Sequence, residues 1–138
     1  MNYFVDTSAW VALFDASDKY HPFATKGLNL LLGTPVTFLT TDYVFDETVT
    51  LLLKREGQNQ AVRYGNWVLS AENIELIRVG EDVWQAAWDM FQRYDDKQWA
   101  FTDCTSFVLM RQHNLHRAFA FDHHFAQAGF QLWPGMDG

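Results

Sequence analysis

Cysteine and long apolar runs are the scarcest features of this sequence. A single cysteine, Cys104, occurs in 138 residues, so no internal disulfide forms and a reducing cytoplasm suits the chain. No apolar run is long enough to cross a bilayer, and no basic leader with a following apolar stretch opens the chain. These absences predict a cytoplasmic protein that makes no use of a membrane.

Positive charge is also scarce, and several common catalytic motifs are missing. Ten Lys and Arg residues stand against 17 Asp and Glu residues, which gives a net charge of -7. Broad, nonspecific binding of nucleic acid is not expected, because it depends on cations that neutralise phosphates. A local nucleic-acid site remains compatible with this charge if metal ions supply the positive charge. The sequence has no Gly-rich phosphate loop, no H-E-x-x-H zinc helix and no G-x-S-x-G elbow, and its five histidines show no zinc-ligand pattern.

Apolar residues alternate between the strand period and the helix period along the whole chain. Strands are predicted at residues 3–5, 36–39, 74–79 and 118–121, with a weaker one at 131–133. Helices are predicted at residues 8–14, 22–32, 43–55, 58–70, 81–94 and 102–113. This alternation predicts one α/β domain over residues 1–138, with a mostly parallel sheet covered by helices and a loose tail after about residue 133.

Four carboxylates occur where apolar segments end or continue, which is a costly place for a charge. Asp6 and Asp122 follow predicted strands, Asp103 opens a predicted helix, and Glu47 lies in line with apolar residues of another helix. Ligands of such sheets bind outside the carboxyl ends of the strands, so we expect these acids to converge. Their pKa values would then be raised and coupled until a hard cation neutralised them. A metal-dependent hydrolytic site is the first hypothesis.

A purely structural role is the alternative for each acid. Asp6, Asp103 and Asp122 could cap helices or turns, and taken singly that role is the more common one. Glu47 fits it less well, because its helical neighbours at positions 44 and 51 are apolar, whereas Asp46 is interpreted as a surface acid. Capping explains each acid but not the whole set.

The segments around the four acids resemble the four acidic motifs of PIN-domain nucleases in order and spacing. The segments are Val5-Asp6-Thr7-Ser8-Ala9-Trp10, Tyr43-Val44-Phe45-Asp46-Glu47-Thr48, Phe101-Thr102-Asp103-Cys104 and Phe121-Asp122-His123-His124-Phe125. The resemblance covers about residues 2–133 and is strongest to VapC-like toxins of toxin–antitoxin pairs. The sequence departs from the pattern at His123, where many relatives have a more basic residue, so phosphate binding by that position is in doubt at neutral pH.

The resemblance implies a three-layer α/β/α PIN-like fold with a central, mostly parallel sheet of about five strands. It implies that Mg²⁺ or Mn²⁺ is bound by four acids, Asp6, Glu47, Asp103 and Asp122. The hydroxyls of Ser8 and Thr102 would hydrogen-bond to carboxylates or water. The implied activity is hydrolysis of RNA by metal-activated water, and the implied partner is a small cognate antitoxin protein. Aromatic residues make up 17% of the chain, which favours an exposed apolar face and a homodimer.

Two other functions compete with a ribonuclease. An inactive PIN-like scaffold that binds RNA or protein is disfavoured by the four retained acids. A phosphoacceptor receiver domain is disfavoured because only Asp6 follows the first predicted strand, where such domains have adjacent acids. We further expect Trp10, Phe14 and Trp99 to line a groove beside the acids. The polar connections at residues 15–21 and 94–98 are interpreted as ordinary solvated loops.

Overall fold

Five parallel strands form the centre of the molecule in a computed structural model that describes residues 1–135. The strands are β1 (Asn2–Val5), β2 (Thr37–Thr41), β3 (Ile74–Ile77), β4 (Arg117–Phe119) and β5 (Gln131–Trp133). Their order in the sheet is β3-β2-β1-β4-β5, and every neighbouring pair is parallel. The predicted sheet is therefore confirmed.

Seven helices of the described chain connect these strands. They are α1 (Thr7–Phe14), α2 (His21–Leu32), α3 (Asp42–Glu56), α4 (Gln58–Ser70), α5 (Glu81–Arg93), α6 (Phe101–Gln112) and α7 (His124–Gln127). Crossovers between parallel strands carry helices over both faces of the sheet, which gives the predicted three layers. The first six helices lie where periodicity predicted them. The four-residue α7 was not predicted, since it is too short to show a helical period.

Apolar side chains from the sheet and from the inner helix faces fill the core. Phe4 on β1 is fully buried, and Trp10 on α1 packs edge-on against Tyr64 at a centroid distance of 5.6 Å. Burying one large apolar side chain contributes about 1.5–3 kcal/mol. The Cys104 thiol is also fully buried, and this burial raises its pKa to about 11, so it behaves as a small apolar side chain.

Two strands end earlier than the apolar pattern predicted. β4 ends at Phe119, and the Phe121 N–H donates to Ser8 Oγ at 3.0 Å. β3 ends at Ile77, and the Val79 N–H donates to Asp42 Oδ1 at 2.9 Å. In both places, a side-chain oxygen of a distant residue accepts the backbone N–H. This oxygen replaces the carbonyl of a neighbouring strand. An apolar pattern carries no information about such a partner.

The sheet places a crevice beside its central strand. From β1 the chain builds β2 and β3 on one side, and it then returns to add β4 and β5 on the other side. The connections after β1 and β4 diverge at this point, which is where ligands bind in open α/β sheets. Asp6 follows β1 directly, and Asp122 lies three residues after the end of β4.

The last strand, β5, packs against α2 near the end of the described residues. The Trp133 indole N–H donates to the Gly27 carbonyl at 3.1 Å, which fixes β5 against α2. A Cβ at Gly27 would lie 3.2 Å from Pro134 and from the Trp133 indole nitrogen, so a larger residue here would require these neighbours to shift. Most of the tail that was predicted to be loose, residues 136–138, lies outside the described residues. Within residues 1–135, every helix is too short or too polar to cross a membrane.

Candidate active site

A cavity of about 460 Å³ opens at the carboxyl edge of the sheet, beside β1 and β4. All four acids predicted to form the site line it: Asp6, Glu47, Asp103 and Asp122. They come from four segments that are distant in sequence. The parallel sheet brings the two acids that follow strands to one edge, and α3 and α6 supply the other two.

Asp6 is the N-cap of α1 and is only 3% exposed. Its Oδ2 accepts the Ser8 N–H at 3.1 Å and the Ser8 hydroxyl at 2.8 Å. Burial, together with the nearby Asp103 and Asp122 carboxylates, raises the pKa of Asp6 to about 7, although the hydrogen bonds from Ser8 oppose the shift. The expected contact of Ser8 with a carboxylate is therefore present.

Asp103 lies in the first turn of α6 and is 8% exposed. Its Oδ2 accepts the Ala100 N–H at 3.0 Å, which holds the carboxylate at the start of the helix. Burial is the main cause that raises the pKa of Asp103 to about 7, and the charges of Asp122 and Glu47 add to it. Asp6 and Asp103 thus have raised pKa values for the same two reasons, because each is buried and each lies near other acids.

His124 links two of the acids. Its Nδ1 lies 3.1 Å from Asp122 Oδ1 and 3.3 Å from Asp103 Oδ2. The backbone N–H of His124 also donates to Asp122 Oδ1 at 2.9 Å. Within the described residues, the ligand atoms of Asp122, His123 and His124 all lie within 4.8 Å of one another, although the His123 side chain is 75% exposed. Neither histidine was predicted as a metal ligand, and the return of α7 toward α6 brings His124 to Asp103.

Glu47 and Thr102 are the two remaining residues that were predicted to belong to the site. Glu47 is half-buried on the cavity wall, whereas its neighbour Asp46 is exposed, so the choice between the two acids on helical periodicity was sound. The hydrogen bond of Thr102 is made by its carbonyl, which accepts the Thr105 hydroxyl at 2.6 Å. Within residues 1–135 no carboxylate accepts the Thr102 hydroxyl, so its expected contact with a carboxylate or water stays a prediction.

Most of the chain matches one known protein family. Residues 3–131 match the family model of the PIN domain. The chain belongs to the PIN domain family. It is 38% identical over 127 residues to the 23S rRNA-specific endonuclease VapC20 of Mycobacterium tuberculosis, and the match covers 92% of this chain and 94% of that protein.

Solved structures extend the comparison to the fold. The crystal structure of Mycobacterium tuberculosis VapC20, described as a Sarcin-Ricin loop cleaving toxin, superposes on this PIN domain with a TM-score of 0.85 at 36% identity, covering 93% of this chain and 95% of that one. VapBC2 from Rickettsia felis, bound to a promoter DNA fragment, gives a TM-score of 0.71 over 96% and 97% of the two chains. FitAcB from Neisseria gonorrhoeae gives 0.64 over 96% of each. Both are 15% identical to this chain and show the fold alone.

Residues that the sequence did not single out complete the cavity of this PIN domain. They are mainly polar or charged: Asp18, Lys19, Tyr20, Arg55, Gln98 and His124. The first three belong to the connection between α1 and α2, and Gln98 belongs to the connection between α5 and α6. Both connections were interpreted as ordinary solvated loops; most of their residues are exposed, and part of each lies on the cavity wall. Contacts such as Arg55 Nη1 to Asp18 Oδ2 at 3.1 Å, between residues 37 positions apart, leave no local signal in the sequence.

The aromatic lining of the cavity also differs from the prediction. Of the described residues on its wall, none is Trp10, Phe14 or Trp99. Trp10 is 1% exposed in the core, and Trp99 is 7% exposed against Phe107, so closeness in sequence to an acid did not mean closeness to the cavity. Phe14 instead lines a separate groove of about 530 Å³. The aromatic residues on the cavity wall are Tyr20 and Phe121.

The donor set of this cavity suits a hard divalent cation. Mg²⁺ and Mn²⁺ prefer oxygen ligands, and four carboxylates line this one cavity. Burial and mutual repulsion make the ionised forms of Asp6 and Asp103 costly, and a bound cation would remove that cost. The residues present therefore fit the metal that the sequence predicted.

Proposed function

We propose that this PIN domain is a metal-dependent endoribonuclease that hydrolyses RNA phosphodiester bonds with water as the nucleophile. The observation that carries the proposal is the convergence of Asp6, Glu47, Asp103 and Asp122 on one cavity. The identity of 38% to an endonuclease, over almost the full length of both chains, supports it. An acidic cavity repels phosphate, so RNA can react there only if cations bind with it.

The four acids and their supports have separate roles in this proposal. Asp6 and Asp103 hold Mg²⁺ or Mn²⁺, and Glu47 and Asp122 complete the site. When bound, such an ion lowers the pKa of water and neutralises charge that develops on the phosphate. Ser8 fixes the orientation of the Asp6 carboxylate, and the Ala100 N–H does so for Asp103. No side chain becomes attached to the RNA, and the products are a 5′-phosphate and a 3′-hydroxyl.

Ribosomal RNA is the substrate that we propose, and within it the sarcin–ricin loop. The relative that is 38% identical is named as specific for 23S rRNA, and its crystal structure is described as that of a toxin cleaving this loop. A folded RNA loop exposes unpaired bases that a protein can reach, whereas an RNA duplex hides them. Because ribosomes are cytoplasmic, we place the activity in the cytoplasm.

A small antitoxin protein is the partner that we propose. The description of the similar crystal structure as a toxin supports this role. An Arg or Lys side chain of an antitoxin can enter the cavity and form ion pairs with its four acids. The separate groove offers an apolar surface lined by Leu13, Phe14, Leu28 and Trp67. Copurification with the product of a neighbouring gene, followed by a cleavage assay, tests the proposal; a bound neighbour that leaves cleavage intact would contradict it.

A homodimer is the assembly that we propose. On α5, Trp84, Trp88 and Phe91 are each 41% exposed and follow one another along one face. The Trp84 and Trp88 rings stack at 6.5 Å, and the Trp88 and Phe91 rings stack at 5.8 Å. Exposure of three large aromatic rings to water costs free energy, and the same face of a second copy would cover them.

One assay tests the central proposal. Purified protein is incubated with 23S rRNA in Mg²⁺, in Mn²⁺, and in excess EDTA, and the ends of the products are sequenced. We expect cleavage with either ion and none with EDTA, and a single cut within the sarcin–ricin loop. Full activity in EDTA would exclude the metal, and cuts spread over the RNA would exclude the loop as substrate. A folded protein that binds this RNA but never cleaves it would favour the inactive scaffold.

A further inference from the structure

Two aromatic rings lie flat against each other on the cavity wall. The Tyr20 and Phe121 ring centroids are 4.8 Å apart, and the ring planes differ by 6°. Tyr20 ends the connection between α1 and α2, and Phe121 immediately precedes Asp122. Both side chains are half-buried and line the same cavity as the acids. The pair is therefore a flat apolar surface that reaches solvent directly beside the carboxylates.

Backbone contacts hold this ring pair in place. The Tyr20 N–H donates to Asp18 Oδ1 at 2.8 Å, and the Tyr20 carbonyl accepts the Ala24 N–H at 2.9 Å. Asp18 in turn accepts a hydrogen bond from Arg55 on α3. On the other side, the Phe121 N–H donates to Ser8. Rings fixed in this way lose little conformational freedom when a ligand stacks on them, which favours binding.

A lysine lies over the same surface. Lys19 Nζ is 4.9 Å from the centroid of the Tyr20 ring, and Lys19 also lines the cavity. Arg55, the other cation on the wall, is engaged by Asp15 and Asp18. Within residues 1–135 no carboxylate forms an ion pair with Lys19, so its charge is available to an incoming anion. In a protein of net charge -7, such a cation beside the acids is the natural contact for a phosphate.

We infer that Tyr20 and Phe121 form a stacking subsite for one unpaired RNA base, and that Lys19 binds a phosphate next to that base. The inference rests on the proposed ribonuclease function and adds how the RNA is held. An unpaired base stacks on the ring pair, displaces the lysine side chain from the Tyr20 ring, and leaves its ammonium beside the backbone. Aromatic side chains bind unpaired RNA bases in this way, whereas bases within a duplex remain stacked on each other.

The subsite lets the cavity distinguish unpaired RNA from paired RNA, which four acids alone cannot do. Because Phe121 and Asp122 are adjacent, a base on the rings places its own backbone near the carboxylates. Only a nucleotide that can leave its helical stack reaches this position. The protein would thus select RNA loops over duplexes through Tyr20 and Phe121, and it would gain affinity for the backbone through Lys19.

Binding measurements in the Asp6→Asn background test this subsite without cleavage. A labelled RNA hairpin with an unpaired loop is compared with a fully paired RNA duplex of the same composition. Loss of stacking corresponds to about 1–3 kcal/mol, so Tyr20→Leu and Phe121→Leu should weaken hairpin binding by about 5- to 150-fold. Duplex binding should change little, and Tyr20→Trp should retain hairpin affinity. In the cleaving protein, Tyr20→Leu should raise KM more than it lowers kcat.

Two matched substitutions on α2 serve as controls. Phe23 is 49% exposed and is not a residue of the cavity wall, so Phe23→Leu removes an aromatic ring from elsewhere on the surface. Lys26→Gln makes the same charge change as Lys19→Gln at another exposed site. We expect Lys19→Gln to lower the dependence of binding on salt by about one counterion, and Lys26→Gln to leave it unchanged.

Three results would overturn the inference. They are hairpin affinity unchanged in both leucine variants, equal loss for hairpin and duplex, or equal effects of Lys19→Gln and Lys26→Gln. Circular dichroism melting checks that the leucine variants are folded, and Lys19→Gln, at an exposed position, reports on the subsite even if a ring variant unfolds. If the subsite variants behave as expected while the wild type cleaves no RNA, the proposed function fails and the subsite stands.

Discussion

Ser8 and Phe121, which are 113 positions apart, are joined by one hydrogen bond at the centre of the site. The Phe121 N–H donates to Ser8 Oγ at 3.0 Å, and the same hydroxyl donates to Asp6 Oδ2 at 2.8 Å. One small side chain therefore fixes the carboxylate that follows β1 and the backbone that leads to Asp122. The geometry of the acids depends on this connection between the two ends of the chain.

Ser8→Ala should damage both stability and activity. It leaves the Phe121 N–H without its acceptor, which costs about 1–3 kcal/mol if no water replaces it. It also removes a hydrogen bond that lowers the pKa of Asp6, so this pKa rises further. Urea unfolding and RNA cleavage measure the two effects. Ser8→Thr keeps the hydroxyl and should be milder, and Ser70→Ala, on an exposed helix end, should match the wild type.

Glu47→Gln should strongly reduce cleavage, whereas Asp46→Asn should not. The two acids are adjacent and both substitutions remove one negative charge, but only Glu47 lines the cavity. The charge of Glu47 also raises the pKa of Asp103, so Glu47→Gln should change the ionisation of Asp103 as well. Cleavage rates at saturating Mg²⁺ make the comparison. Equal rates for the two variants would show that Glu47 has no part in the reaction.

The stability of the metal-free protein should fall as pH rises from about 4 to about 7. The folded-state pKa of Asp6 and of Asp103 is about 7, above the ordinary value of 3.8. In this window the folded protein binds more protons than the unfolded chain, so the free energy of unfolding falls with rising pH. Unfolding in EDTA across this range measures the slope, and added Mg²⁺ should restore stability above pH 7.

Asp6→Asn isolates the share of that slope that belongs to Asp6. An amide does not ionise, so this variant should show a flatter dependence on pH than the wild type. At pH 8 in EDTA it should be more stable by about 1–3 kcal/mol, because one buried charge is removed. It should nevertheless lose cleavage. A variant less stable than the wild type at pH 8 would show that the hydrogen bonds of the ionised Asp6 outweigh the cost of its burial.

Trp88→Glu should convert the proposed dimer into a monomer. The Trp88 side chain stacks between Trp84 and Phe91 on the exposed face of α5, and a carboxylate there would be buried against its symmetry copy. Sedimentation velocity measures the assembly directly. Leu69→Glu, at a side chain 63% exposed on α4, is the matched control and should leave the mass unchanged. A wild-type protein that is monomeric at all concentrations would exclude the dimer.

The strand and helix pattern was readable from the sequence because burial imposes a period on the residues themselves. Strands buried on both faces appear as short apolar runs, and amphipathic helices repeat every 3.6 residues. Glu47 could be chosen over Asp46 by the same period. Asp6 and Asp122 could be placed at one edge, because carboxyl ends of parallel strands share an edge of the sheet. Local pattern and general topology together were enough to predict that the four acids meet at one site.

The remainder of the site was decided by tertiary structure alone. Lys19, Tyr20 and Arg55 meet at the cavity only in the folded chain, and the polar connection that contains Lys19 and Tyr20 has no period that reveals where it folds. Trp10 was misplaced because a residue near an acid in sequence can point to the opposite side of its helix. The raised pKa values of Asp6 and Asp103 also depend on burial and on charges from other segments. The sequence by itself determined which acids would meet, and three-dimensional packing decided what surrounds them, because solvent exclusion and electrostatic coupling exist only between segments that folding brings together.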